Sequence, residues 1–401
     1  MKIKFLLAAA ASIAVIMPFA SCSEEPLPEA ELPILAWHSI PDFQTSDERF
    51  QELADCGFNL SFTCGAPHID GLKKQLDCAE KAGVKIMANC IELYTEPAEA
   101  VAQIIDHPAL YGYFLRDEPL PAAFPGLAEW AQKIKDADNG AHTIYLNLLP
   151  NYVDPAALVI SYREYVRKFI DEVNLPLVSF DFYPVTTEGI RQSWYDNLQV
   201  IADESAKSGL PFWAFSLSVP HWSYPMPTMA SMRLQQYTNL AYGAFGLQYF
   251  TYWTPGPGSD ADYHDAPISW EGEKTETYDK VKALNAELQA RAGVFVGSKV
   301  VSLAHTGETV PPECKKLEEM PAHVKSLSTG ADGAVVSLLE NGDWNYLVVV
   351  SRTLEKPVTL DVEFDEKASM VDREGNLVKV AKGQNTFTIE EGDVAIFRFK
   401  K

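Results

Sequence analysis

The sequence predicts an α/β fold, a (β/α)8 TIM barrel followed by a small all-β sandwich domain. Three observations carry that expectation. Short β-type runs alternate eight times with longer helical patterns, which implies a parallel sheet joined by right-handed crossovers. The runs are nearly continuously apolar, as in a sheet buried on both faces. After residue 293 the helical patterns stop, and period-two runs broken by NGD, EGN, KGQ and EGD turns take over.

In order along the chain, residues 1–21 read as a leader, with a basic MKIK start and the apolar run FLLAAAASIAVIMPFA before Ser21 and Cys22. The run is short for a membrane span. FASC resembles the bacterial lipobox, with Phe19 where Leu is usual, and Ser23-Glu24-Glu25 resembles the acidic export signal of Bacteroidetes lipoproteins. That resemblance implies a lipid on Cys22, a tether over residues 22–32, and anchoring at the outer membrane on the cell-surface or periplasmic side.

The barrel is expected over residues 33–293. PILAWHSI (33–40) opens it and precedes DERFQELADCG; FNLSFTCG (58–65) precedes GLKKQLDCAEKAG; VKIMANC (84–90) precedes EPAEAVAQIIDHP. ALYGYFLRDEP (109–119), HTIYLNLLP (142–150) and LVSFDFYPV (177–185) follow, each ahead of a helical pattern. PFWAFSLS (211–218) and GLQYFTYWTP (246–255) complete eight units over about 260 residues, the usual size of such a barrel. WHSIPDF lacks the glycine-rich phosphate turn of a dinucleotide-binding open sheet. Residues 294–401 read as the sandwich, in which Trp344 and Tyr346 share one strand face.

Composition narrows the function. A net charge of −22 argues against nucleic acid as a partner and suits a neutral substrate. Beyond Cys22, Cys56, Cys64, Cys78, Cys90 and Cys314 show no zinc spacing and mostly lie in apolar segments, so core thiols are expected. No Walker A, HExxH or GxSxG motif is present. No cofactor and no metal are expected.

In this fold the carboxyl ends of the strands build the active site. They carry His38 and Asp42, Asn89 and Glu92, Arg116, Asp117 and Glu118, then Asn147, Asp181 and Tyr183, then Ser216, Ser218 and His221, and finally Tyr252 and Trp253. Carboxylates, amides and aromatic faces together suit a sugar, whose hydroxyls pair with the first two and whose C–H faces pack on rings. Glycosidic bonds are cleaved between two carboxyl groups. Strand alternation is expected to place Asp117 on the face opposite Glu118.

GYFLRDEP, SFDFYPV, FWAFSLS, LQYFTYWTP and TETYDKVKALNAELQ resemble the barrel glycoside hydrolases of the clan that includes the family 42 β-galactosidases, in particular lipoproteins of gut Bacteroidetes. The resemblance covers residues 33–293 and the order of barrel then β-domain. It implies a hydrolase acting on a carbohydrate substrate, with Glu118 at the fourth-strand position of the acid/base, although Asp117 stands where the clan has Asn. The seventh strand, FWAFSLSVPH, lacks the clan's nucleophilic Glu. Asp181 is then the expected second carboxylate, with Tyr183 and Glu92 as lesser candidates. The binding residues expected are His38, Asn89, Asp117, Asn147, Tyr183, His221 and Trp253. A carbohydrate-binding lipoprotein that no longer cleaves is the alternative.

Overall fold

The computed structural model describes residues 25–62, 65 and 67–401. Cys22 and Cys64 lie outside them. Eight parallel strands, Ile34–Trp37, Leu60–Ser61, Lys85–Ala88, Leu110–Asp117, Thr143–Asn147, Val178–Phe180, Phe212–Leu217 and Gly246–Phe250, form the barrel. The first pairs with the second and the eighth, and the sheet runs on in both directions to the fifth and the sixth. A parallel bridge from Leu148 to Phe180 closes the ring, with Leu148 N–H donating to Ser179 O at 2.8 Å.

Alternate residues of each strand point to two different apolar environments, which is why the runs read as continuous. Outward residues such as Ile34, Ala36 and Leu247 meet the helices. Inward ones fill the barrel: the Trp37 ring lies 4.2 Å from Phe62, 5.4 Å from Phe114 and 5.3 Å from Phe215. The interior is a packed plug of aromatic rings, so any site must sit above it.

Local signals set the helix limits. The helix Tyr162–Glu172 starts from a capping box between Ser161 and Glu164. Gly209, at φ +70°, ends Ser193–Ser208 in the left-handed conformation and turns the chain into the seventh strand.

The C-terminal region is a six-stranded and a three-stranded antiparallel sheet packed face to face. Leu347, Val349, Leu360, Val362 and Phe397 fill the space between them. Strand Val358–Phe364 alternates buried and open positions as its sequence predicts, whereas Ala334–Asn341 is buried on both faces. Its sheet also packs on the barrel: Val335, Tyr346, Val348 and Ile396 join the barrel's outer core. At that junction Glu287 accepts from Arg233 at 2.8 Å and Tyr237 at 2.7 Å, and Arg291 donates to Asp372 O at 2.8 Å.

The expected tether does not hang free over its described part. Leu27 and Ala30 pack on the core, Arg398 donates to Pro26 O at 3.3 Å, and Leu32 is fully buried with its N–H on Gln289. Apolar residues spaced among its acids and prolines give the segment a face to dock. Cys56, Cys78 and Cys90 are buried free thiols, and Cys314 is a half-buried one.

Candidate active site

The fourth strand builds the centre. Its register against the fifth shifts between Phe114 and Asp117, which sets Asp117 opposite Asn147. The next residue, Glu118, donates its N–H to Asn147 O at 2.8 Å and adopts φ +45°. A left-handed non-glycine residue costs about 1–3 kcal/mol and persists where its surroundings impose it. Here the Tyr165 hydroxyl fastens the turn by donating to Pro119 O at 2.8 Å.

This irregularity overturns the expectation that Asp117 and Glu118 face apart. The bulge and the left-handed turn break the alternation and bring both carboxyls to one cluster with Asp181. Asn147 connects them: its amide nitrogen donates to Asp181 Oδ1 at 2.8 Å and to Asp117 Oδ1 at 3.2 Å. The amide is held in that sense because Ser179 Oγ donates to its oxygen at 2.9 Å, and Gln248 in turn donates to Ser179 at 2.8 Å.

Electrostatics then separate the three acids. Partial burial, and next the charge of Asp117, push Glu118 up to about 7, opposed by a hydrogen bond with Asp181. Burial raises Asp117 to about 6 against hydrogen bonds from Asn147 and the Glu118 N–H. Asp181 is buried, and its carboxyl is pushed well above the usual range by burial and then by the Glu118 and Asp117 charges. Asp117 and Glu118 are still open to water. Glu118 and Asp181 are in direct hydrogen-bonding contact, so they hold a proton as a pair.

The other predicted residues fall into place unevenly. His38, at the first-strand end with φ +46°, is lowered to about 4 by burial and stays neutral. Asn89 is buried and accepts from Tyr94 at 3.2 Å. His221 is buried with Nδ1 on Val219 O, its ring 4.7 Å from Tyr224. Tyr183 is buried between Tyr224 and Phe250, and its phenol is pushed well above its ordinary value by burial and then by Asp181, which disfavours the phenolate a nucleophile needs.

Two expectations are corrected. Trp253 is fully buried, its indole N–H on Trp270 O at 3.4 Å, and offers no face to a sugar. Glu92 instead accepts from His68 at 3.0 Å and from the Ile69 N–H at 2.9 Å, starting the helix Ile69–Ala82. Asp117, expected among the binding residues, is held by the Asn147 amide.

Residues the sequence reading passed over also lie on the loops at this end of the barrel. Tyr152, half exposed on the loop after the fifth strand, feels the charges of Asp181 and Glu118. Arg191 lies 5.5 Å over its ring and donates to Tyr224 at 2.9 Å. Trp222, next to His221, is 65% exposed in a left-handed conformation. Its position on a Pro- and Ser-rich loop after the seventh strand was the available signal.

No protein-family model and no curated protein matches the chain. Solved structures do. The β-galactosidase from Bacillus circulans sp. alkalophilus superposes with a TM-score of 0.60 at 10% identity, over 92% of this chain and 99% of its own. A catalytic mutant of Gan42B, a GH42 β-galactosidase from G. stearothermophilus, gives 0.60 at 9% identity over 94% and 100%. A GH27 β-L-arabinopyranosidase from Geobacillus stearothermophilus gives 0.51 at 10% identity over 93% and 97%. The structural neighbours are therefore glycoside hydrolases built on TIM barrels, and at these identities the likeness is one of fold.

Proposed function

We propose that this protein hydrolyses O-glycosidic bonds of oligo- or polysaccharides, in the manner of a family 42-like barrel, with Glu118 as general acid and Asp181 as the second carboxylate. The observation that carries the reading is the Glu118–Asp181 pair at the carboxyl ends of the fourth and sixth strands, with Glu118 raised to about 7 and thus able to hold a proton at neutral pH. Glu118 gives that proton to the leaving glycosidic oxygen. Asp181, aimed by Asn147, then attacks the anomeric carbon or takes a proton from water. In the free protein the two carboxyls hydrogen-bond to each other, whereas a retaining pair stands ~5 Å apart and an inverting pair ~6.5–9.5 Å. Substrate must part them, and the proton they share is the one Glu118 gives to the leaving glycosidic oxygen, with Asp181 left ionised.

The second reading is glycan binding without turnover. It is favoured by the seventh strand, whose tip residues Ser216, Leu217 and Ser218 are buried and carry no carboxylate. One experiment separates the two. Wild type and Glu118→Gln are incubated with a panel of plant and host oligosaccharides and aryl glycosides, and released sugar is read by chromatography. Release by wild type alone supports the hydrolase. Equal release by both ends the assignment of Glu118, and saturable binding without release from either establishes the binding protein.

A further inference from the structure

Beside the carboxylate cluster lies a trough of about 540 Å³, between the loops that follow the third and fourth strands. Tyr94, Trp130, Phe114, Arg116 and Asp117 line it. Asp117 lines the trough and belongs to the cluster, so the two adjoin. The Tyr94 ring is 47% exposed and rests 4.7 Å from that of Trp130, whose N–H is fixed on Leu93 O at 2.8 Å. A braced, half-open aromatic pair of this kind presents a face to the C–H side of a sugar ring.

The charge on the trough wall is the unusual part. The chain has ten arginines. Six pair with carboxylates, and Arg191, Arg352 and Arg398 lie over aromatic rings. Among the described residues Arg116 alone does neither, in a chain with 55 acidic residues available to it. Its guanidinium is exposed, and its donors are free for a planar or tetrahedral oxyanion, the groups that an arginine fork binds best.

Resting on the carbohydrate reading above, we propose that this trough is a glycan subsite for a sugar bearing an anionic substituent, a carboxylate or a sulfate, which pairs with Arg116 while its ring packs on Tyr94 and Trp130. This reverses, locally, the preference for a neutral substrate that the net charge suggests. The many surface acids repel an anion at long range, where salt screens them, and the Arg116 contact acts at hydrogen-bonding range.

The test uses full-length protein carrying Glu118→Gln, so that ligands persist, and calorimetric titration with matched pairs. The pairs are xylotriose and its glucuronic-acid-bearing form, galactotriose and trigalacturonate, and galactobiose with and without a 6-sulfate. The acidic member of one pair should bind about tenfold more tightly than its twin, and added Arg116→Ala should bring that ratio to about one. Preference within a uronate pair or within the sulfate pair identifies the anion. Twins that bind alike, or a preference that survives Arg116→Ala, overturn the subsite; if wild type still cleaves neutral sugars in a Glu118-dependent way, the hydrolase stands without it. Binding of none of the six overturns the subsite and the carbohydrate reading together.

Discussion

The fourth and seventh strands of the barrel end in opposite ways. The fourth finishes in a bulge, a left-handed Glu118 and two solvent-touched carboxyls beside a third. The seventh finishes in FWAFSL, every side chain buried, with Ser218 closing onto Thr251 O at 2.8 Å. One tip is strained, charged and open, while the other is regular, neutral and sealed. The difference teaches that the clustered carboxylates belong to the arc of the fourth, fifth and sixth strands, where Asn147 ties Asp117 to Asp181, and that the seventh-strand tip contributes none.

Breaking the charged tip should have the largest effect. Glu118→Gln should lower kcat/KM by about 10²–10⁴-fold, the usual worth of a positioned acid, with the fold retained by circular dichroism. Putting a carboxylate on the sealed tip should do the reverse of restoring a nucleophile. Ser218→Glu buries an unpaired charge and should cost about 3 kcal/mol or more in chemical denaturation, without a gain in rate. A stable, more active variant would show that the seventh-strand seat is still serviceable.

Asn147→Ala sharpens the contrast by cutting the link within the active arc. Its hydrogen bonds hold Asp181 and Asp117 down, so losing them raises both, and the alkaline limb of the pH–rate profile should move to higher pH while the rate falls about tenfold or more. A limb that does not move would detach Asn147 from the shared proton. The smallest effect concerns stability. Because the folded state raises Glu118 from 4.5 to about 7, wild type loses stability as pH rises through that window. Glu118→Gln should therefore melt above wild type at pH 8 and level with it near pH 4; a uniform offset at both pH values would place the raised proton elsewhere.

Much of the barrel was legible because each strand faces two apolar environments and each helix carries its own start and stop. Glu118, Asn147 and Asp181 were legible as polar residues at strand ends, a rule that needs only counting. What escaped was geometry that depends on more than one strand. Period-two reasoning assumes an unbroken register, so the bulge that unites Asp117 with Glu118 had no signature in RDEP. Trp253 looked available at the eighth-strand end, but the Ile268–Lys274 segment folds back on it and closes its face. Ala334–Asn341 read as one-sided because the barrel that covers its second face lies far away in sequence.

That doubly covered sheet has a genetic corollary. A recombination event that parted the chain near residue 293 would pass on a barrel with helix Met229–Ala241 uncovered and a sandwich with Tyr346, Val348 and Ile396 turned to water. Neither half is suited to be lent to another gene, so the two are expected to travel through descent as one cassette, and any new specificity must arise by rewriting loops on the barrel's rim.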